Sequence, residues 1–286
     1  MNSVGIMQGR LLPPINGVYQ AFPVGSWQLE FPLARDAGLD FIEWVFDEPG
    51  QEQNPFSTDS GIAEIEKLSS EHGVLIRSVC ANYYMTQRLI SPEGDLQVKT
   101  LDHFWWFAER TKKLGARYVV LPILETSSLS SEAGRNGLLI FLEKIIPRLE
   151  SLNLGVHLET DFPPKIFNAI MNRIDHPLIR VHFDIGNSAS MGFDPSEELK
   201  LLTPKLGSVH VKDKMLGGST VPLGTGNADF PTCFKLILQS GYDREFILEA
   251  ARSEDGAEVE NARRNRCFVE NCIQSLALPD DSLFKS

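Results

Sequence analysis

Short apolar runs bounded by turn residues recur along the whole chain and predict eight β-strands. Several of the segments between them show helical periodicity and good helix formers, as in residues 62–72, 97–114, 138–152 and 231–239. The predicted strands cover residues 4–7, 41–44, 75–80, 118–122, 156–160, 179–184, 208–212 and 246–250. This alternation of strand and helix predicts an α/β fold with a parallel sheet.

A glycine stands just before several predicted strands: Gly38, Gly73, Gly115, Gly155 and Gly241. We expect each to end the preceding helix in the left-handed conformation, which glycine adopts most easily. Eight strands are the number that closes a (β/α)8 TIM barrel. We therefore predict one TIM-barrel domain over residues 1–286, with the barrel at about 3–277 and a short C-terminal tail. A doubly wound open sheet is the competing architecture, but no Gly-x-Gly-x-x-Gly motif follows the first strand.

Four runs in the second half of the chain end in residue types that bind metal ions: Glu159, Asp184, His210 and Glu249. In a barrel, the C-terminal ends of the strands meet at one mouth. Carboxylates buried there without a partner lose solvation, and a shared divalent cation offsets that cost. An oxygen-rich set with one nitrogen suits Mn²⁺, Mg²⁺, Co²⁺ or Zn²⁺. The alternative is that His210 pairs with one carboxylate while the others pair with Lys212 or Arg180.

The same four residues suggest proton transfer next to a carbonyl group that a metal ion polarises. A metal bound to two oxygens of a ketose polarises the carbonyl and stabilises an enediolate. Glu159 and Glu249 come from the fifth and eighth predicted strands, so we expect them to flank a substrate on opposite faces. One carboxyl group removes a proton and the other returns one, as an epimerase requires. We therefore predict Glu159 and Glu249 as catalytic residues.

Further polar residues follow the strands and are expected at the same mouth as substrate contacts, namely Gln8, Arg10, Glu43, Lys212 and Lys214. Arg10 and the two lysines are candidate contacts for an anion. The glycines at 217, 218, 224 and 226 follow in a loop whose backbone N–H groups are expected to hold phosphate. The alternative is an ordinary long loop before a helix, with Asp229 and Pro231 in its N-cap region.

The composition of the chain limits the kinds of molecule that it is expected to bind. The formal charge of −11 and pI near 5.1 argue against nucleic acid, whose binding depends on Lys and Arg. No stretch approaches a membrane span, and four scattered cysteines are typical of reduced thiols. We therefore expect a cytoplasmic protein with a small-molecule substrate and no membrane partner. The sequence leaves the oligomeric state open, a homo-oligomer included.

The motifs that carry this site resemble a known superfamily. They are FDIGNSA at 183–189, VHVKD at 209–213, PLGTG at 222–226, SGY at 240–242 and ILE at 247–249. Together they are similar to the xylose isomerase-like TIM barrel superfamily of sugar phosphate isomerases and epimerases. They look closest to its L-ribulose-5-phosphate/L-xylulose-5-phosphate 3-epimerase (hexulose-6-phosphate isomerase-like) branch. The resemblance implies that Glu159, Asp184, His210 and Glu249 bind one divalent metal ion and that the two glutamates act as acid and base.

The resemblance also bears on specificity and on rival functions. Many ketose epimerases of this superfamily carry a substrate-contacting His where this chain has Asn187, as the phosphate-sugar branch does. The resemblance therefore implies that Asn187 is also a substrate contact. Endonuclease IV shares the superfamily, but its three-metal site needs more His and Asp ligands than this chain offers. An inosose dehydratase or a hydroxypyruvate isomerase-like enzyme uses the same metal and stays open. A catalytically inactive, metal-free binding barrel is the non-enzymatic alternative, and retention of all four ligand types argues against it.

Overall fold

Eight parallel strands close into a barrel in the computed structural model, which describes residues 2–14 and 17–277. The barrel strands are β1 (Val4–Met7), β2 (Phe41–Val45), β3 (Leu75–Cys80), β4 (Tyr118–Ile123), β5 (Gly155–Thr160), β6 (Ile179–Asp184), β7 (Leu206–Val211) and β10 (Phe246–Leu248). Neighbours follow chain order from β1 to β7, and β10 closes the ring between β7 and β1. The predicted (β/α)8 fold is confirmed. The predicted tail after residue 277 lies outside the described residues.

The last two barrel strands end earlier than predicted. Strand β7 stops at Val211, because Asp213–Lys214 (β8) leaves the barrel and pairs antiparallel with Thr220–Val221 (β9). Strand β10 stops at Leu248, so Glu249 is the first residue beyond it. Both differences lie at the mouth of the barrel, where the chain turns from the sheet into the loops that form the site.

Helices cover the outside of the barrel. They are α1 (Glu30–Asp36), α2 (Asp59–His72), α3 (Tyr83–Thr86), α4 (Val98–Lys113), α5 (Glu132–Leu152), α6 (Pro164–Ile174), α7 (Ile185–Met191), α8 (Pro195–Leu202), α9 (Phe230–Gln239) and α10 (Glu258–Ala277). Local capping explains where several begin: the Thr58 hydroxyl accepts a hydrogen bond from Gly61 N, and Asp229 accepts one from Thr232 N. No described helix combines the length and apolar character that crossing a membrane requires.

Four of the five glycines expected to end helices have the left-handed conformation: Gly38, Gly73, Gly115 and Gly241 have φ between 68° and 82°. The prediction for Gly155 is wrong. Gly155 is the first residue of β5, and Asn153, with φ of 47°, takes the left-handed position after α5. Asparagine tolerates this conformation better than most residues. A side chain at Gly155 would instead approach Tyr118 Cβ at 3.2 Å.

Alternation along the strands separates two environments. In β5, β6 and β7, apolar residues that pack in the main core alternate with buried polar residues. The polar set is His157, Glu159, His182, Asp184, Ser208 and His210. Because successive side chains of a strand point to opposite faces, the apolar set packs against the helices and the polar set points into the barrel. The ionisable and hydrogen-bonding side chains of these three strands therefore lie inside the barrel, from its middle to its C-terminal mouth.

Candidate active site

The four residues predicted as metal ligands come together at the C-terminal mouth. Glu159 lies in β5, Asp184 ends β6, His210 lies in β7 and Glu249 follows β10. Asp184 and His210 are direct partners in the β6–β7 register, and Glu249 N donates to Val211 O at 3.1 Å. All four are at least nine-tenths buried. The parallel register places these ligand types at one depth of the barrel.

His210 is the centre of this group. Its Nδ1 lies 2.9 Å from Glu249 Oε2 and 3.8 Å from Asp184 Oδ2, yet it makes no hydrogen bond. Donor atoms of Asp184, His210 and Glu249 lie within 4.8 Å of one another, and those of Glu159, His182 and His210 do the same. A buried ring nitrogen that faces carboxylate oxygens without a hydrogen bond is a fitting ligand for a divalent cation.

Glu43 and Gln8, predicted as substrate contacts, lie beneath the cavity and are absent from its lining. Glu43 Oε1 is 2.6 Å from His210 Nε2, and its Oε2 accepts a hydrogen bond from the Ser78 hydroxyl at 2.6 Å. Gln8 Oε1 accepts a hydrogen bond from Val45 N at 3.0 Å. In this structure Glu43 therefore orients His210 and Gln8 supports β2.

Lys212 is buried among the carboxylates. Its Nζ lies 2.8 Å from Glu249 Oε1 and 3.3 Å from Asp184 Oδ2. Burial alone would lower the pKa of Lys212, but the charges of Asp184 and Glu249 raise it above its usual value. The ammonium group is thus held in its charged form and neutralises part of the acidic cluster. These ion pairs correspond to part of the alternative interpretation of the sequence, in which Lys212 pairs with the carboxylates.

Glu159 and Glu249 have opposite electrostatic surroundings. Burial and the nearby charge of Asp184 raise the pKa of Glu159. Burial would also raise the pKa of Glu249, but the charge of Lys212 and the contact with His210 lower it well below its usual value. Arg10 adds to this effect, since its Nη2 is 3.4 Å from Glu249 Oε1. Burial and local charge therefore push the pKa values of the two carboxyl groups in opposite directions.

Asn187 and Lys214 form a short hydrogen-bonded chain to Glu159. Asn187 Nδ2 donates to Glu159 Oε1 at 2.8 Å, and Lys214 Nζ donates to Asn187 Oδ1 at 3.2 Å. Asn187 lies in the first turn of α7, where its backbone N–H donates to Asp184 Oδ1 at 2.8 Å. Both side chains line the cavity, as predicted for substrate contacts, and Asn187 also orients Glu159.

His182 is a site residue that sequence reasoning did not select. Its ring makes an edge contact with His210 at 4.0 Å between centroids, and its Nε2 is buried without a hydrogen bond. Burial and the charge of His210 lower the pKa of His182 well below its usual value, so the ring is neutral. The signal was present, because His182 precedes Asp184 by two positions and a strand places both on one face.

A cavity of about 460 Å³ opens above this group. Glu159, His210, Lys212 and Glu249 form part of its floor, and loop residues complete its walls. The loop contribution includes Tyr19, Asp47, Glu48, Asn82 and Glu125, and Cys80 lines the cavity from the end of β3. Volume and polar lining suit a small hydroxylated molecule rather than a polymer. Sequence patterns did not select Tyr19, Asp47, Glu48 or Glu125, since loop residues follow no periodicity.

The glycine-containing loop after β8 does not offer free N–H groups. Gly224 N and Gly226 N donate to Asp213 Oδ2 at 2.9 and 2.8 Å, and Ala228 N donates to Asp213 Oδ1 at 3.1 Å. Gly217 N and Gly218 N donate to the carbonyl oxygens of Ser190 and Met215. The phosphate cradle expected from these four glycines is therefore wrong, because groups of the chain itself already accept from the donors. The alternative of a structured loop leading to the Asp229 cap of α9 is confirmed.

A closed barrel of eight parallel strands, with buried carboxylates, a histidine and a lysine at its C-terminal mouth, is the architecture of a (β/α)8-barrel enzyme. The model of the xylose isomerase-like TIM barrel family matches residues 31–271, and the chain belongs to this family. Proteins of known activity that it resembles are named as epimerases, which are isomerases.

Three known proteins show the extent of the similarity. The curated L-ribulose-5-phosphate 3-epimerase UlaE of Escherichia coli is 27% identical over 266 residues, or 86% of this chain and 92% of UlaE. A structure described as L-ribulose 3-epimerase has a TM-score of 0.72 at 17% identity, covering 97% of this chain and 96% of that one. The IOLI protein with a bound zinc atom has a TM-score of 0.74 at 16% identity, covering 96% and 99%.

Proposed function

We propose that the chain is a divalent-metal-dependent epimerase of a small ketose or ketose phosphate that works by proton transfer through an enediolate. The observation that carries the proposal is a pair of carboxyl groups that line one cavity and whose pKa values are pushed in opposite directions, Glu159 on β5 and Glu249 after β10. Environments that push the pKa values of two carboxyl groups apart are typical of acid–base pairs. The similarity to an L-ribulose-5-phosphate 3-epimerase supports the same reaction class.

Proton transfer follows from this pair. Glu249, held ionised by Lys212, His210 and Arg10, accepts the proton of the carbon next to the carbonyl. Glu159, whose pKa burial and Asp184 raise, delivers a proton to the opposite face of the planar intermediate. The strands that carry the two residues, β5 and β10, are three positions apart around the barrel. Each carboxyl group therefore approaches a different face of the substrate. In the reverse reaction the roles exchange.

Glu159, Asp184, His210 and Glu249 would hold one divalent ion, Mn²⁺, Mg²⁺, Co²⁺ or Zn²⁺. The fit rests on His210 Nδ1, which is buried, makes no hydrogen bond and faces two carboxylates. Glu43 fixes the ring through Nε2 and so aims Nδ1 at the proposed ion. When bound, such an ion acts as a Lewis acid that polarises the carbonyl group.

Lys214 is the cation best placed to contact a substrate phosphate. It lines the cavity, and its Nζ donates a hydrogen bond only to the neutral side chain of Asn187 among the described residues. Lys212 and Arg10 also line the cavity, but Lys212 is paired with two carboxylates and Arg10 donates to Ala250 O at 3.1 Å beside Glu249. We therefore assign the phosphate contact to Lys214 and the neutralisation of the acidic cluster to Lys212 and Arg10.

The test is product analysis on a panel of ketoses, with and without a terminal phosphate, in deuterium oxide after loading with each of the four metals. We expect an epimer that carries solvent deuterium at the epimerised carbon. Glu159→Gln and Glu249→Gln should each lower kcat by about 10² to 10⁴-fold, whereas Glu66→Gln on the exposed surface should leave it unchanged. A dehydrated product, or turnover that continues after the metal has been removed by chelation, would overturn the proposal.

A further inference from the structure

A second cavity lies at the opposite, N-terminal mouth of the barrel. Its volume is about 670 Å³, larger than that of the cavity at the catalytic mouth. Residues that precede or begin the strands line it, including Ser3 before β1, Gly155 in β5 and Leu178 before β6. Small organic ligands occupy cavities of about this size in proteins. The proposed epimerase reaction does not use this cavity.

The charge of this cavity differs from that of the chain as a whole. Four cations, Arg77, Lys112, Arg117 and Arg244, and two acids, Asp243 and Glu245, line it, whereas the whole chain carries −11. Glu245 pairs with Arg77 at 3.0 Å and with Arg117 at 3.5 Å. Lys112 and Arg244 have no ion-pair partner within residues 2–14 and 17–277. The cavity therefore has an excess of positive charge.

A buried histidine contributes to the wall of this cavity. His157 is 2% exposed, stacks on the Tyr118 ring at 4.0 Å and bonds through Nδ1 to the Ser208 hydroxyl at 2.8 Å. Its Nε2 has no hydrogen-bond partner in the part of the chain that the structure describes. Gly207 makes room for the ring, since a Cβ there would lie 2.7 Å from His157 Cε1.

The Ser208 hydroxyl links two buried histidines. Its Oγ lies 2.8 Å from His157 Nδ1 and 2.7 Å from His182 Nδ1. In the tautomer whose Nδ1 accepts the Ser208 hydrogen, His157 carries its own hydrogen on Nε2 and offers a donor to the cavity.

We propose that this N-terminal cavity binds a small phosphate-type oxyanion, with Arg244 and Lys112 as the charged contacts and His157 Nε2–H as a buried donor. Oxyanions match unpaired guanidinium and ammonium groups, and an N–H donor next to them adds direction. The size of the cavity admits a phosphate ester as well as the free ion. The proposal is independent of the proposed catalytic function.

Isothermal titration of the full chain with inorganic phosphate and, separately, with ribose 5-phosphate tests the proposal and distinguishes the two sources. We expect saturable binding of at least one ligand that weakens as NaCl rises from 20 to 300 mM. Arg244→Ala and Lys112→Ala should each weaken it about tenfold or more. Lys99→Ala on the exposed face of the same helix α4 should leave it unchanged. Circular dichroism confirms that the variants fold.

Two comparisons separate this cavity from the catalytic mouth. Lys214→Ala should leave binding at the N-terminal cavity intact, and the ring resonances of His157 should shift on titration. Saturable binding that survives Arg244→Ala and Lys112→Ala, or that Lys214→Ala abolishes, overturns the proposal. The absence of saturable binding for both ligands overturns it as well, and neither result affects the epimerase proposal.

Discussion

Glu43 Oε1 lies 2.6 Å from His210 Nε2, in a pair separated by 167 positions in the chain, and both side chains are fully buried. The contact fixes the ring so that Nδ1 faces Asp184 and Glu249. A carboxylate behind a histidine in this way sets both its orientation and its basicity. Glu43 is therefore a positioning residue for the proposed metal centre, and its effect should be measurable separately from catalysis.

Glu43→Gln should weaken divalent metal binding by about 10 to 100-fold, because the ring of His210 loses its charged partner. Titration with Mn²⁺ or Co²⁺, followed by calorimetry, measures this without reference to activity. Ser78→Ala, which removes only the hydroxyl that donates to Glu43, should have a smaller effect in the same direction. Unchanged metal affinity in Glu43→Gln would contradict the positioning role.

Lys214→Ala should raise KM for a phosphorylated ketose by about 10 to 100-fold and change KM for the unphosphorylated sugar little. The reason is that a charge-assisted hydrogen bond to phosphate contributes about 1.5–3 kcal/mol. Steady-state kinetics on the matched pair of substrates provides the comparison. Lys235→Ala, on helix α9, is the control. If both KM values rise together, Lys214 acts through Asn187 and Glu159 rather than on phosphate.

Glu30 should make stability fall as pH rises. Burial raises the pKa of Glu30 from 4.5 to about 8, while its Oε1 accepts a hydrogen bond from Gly9 N at 2.6 Å. The unfolded chain releases this proton near pH 4.5 and the folded chain near pH 8. The stabilising contribution is therefore fully present below pH 4.5 and is lost as pH rises to about 8.

Glu30→Gln, which mimics the protonated form, should flatten this dependence and make the variant the more stable protein above pH 8. Urea unfolding at pH 5, 6, 7 and 8 measures the effect, which we expect to reach a few kcal/mol. Glu66→Gln on the surface is the matched control and should leave the pH profile unchanged. Parallel profiles for Glu30→Gln and the natural chain would show that Glu30 is ionised throughout.

Asp213→Ala should open the loop between β9 and α9. The carboxylate of Asp213 is fully buried and accepts hydrogen bonds from the backbone of Gly224, Gly226 and Ala228. The three bonds are part-buried, and a hydrogen bond to a charged group contributes about 1.5–3 kcal/mol. We expect a lower free energy of unfolding and faster hydrogen exchange at these three amides.

The control for that loop is Thr225→Ala, which removes an exposed hydroxyl that donates to Pro222 O. It should cost about 1 kcal/mol or less. Equal exchange rates at residues 224, 226 and 228 in Asp213→Ala and Thr225→Ala would show that Asp213 does not organise the loop.

The sequence by itself determined the barrel and the identity of the four residues at its mouth. Strand periodicity is local, and a parallel barrel brings every C-terminal strand end to one face, so Glu159, Asp184, His210 and Glu249 had to meet. It did not determine the extent of the domain, and one domain over residues 1–286 stays a prediction. Local rules also failed at Gly155, where Asn153 ends the helix instead.

Only the tertiary structure decided how these residues are paired. Glu43 meets His210 and Lys212 meets Glu249 because the register of the strands sets which inward side chains share a depth. Asp213 takes the glycine N–H groups because the chain leaves the barrel into a hairpin at that position. Such contacts depend on distances between residues far apart in the chain. Residue type and spacing do not specify these distances, because only closure of the barrel brings the residues together.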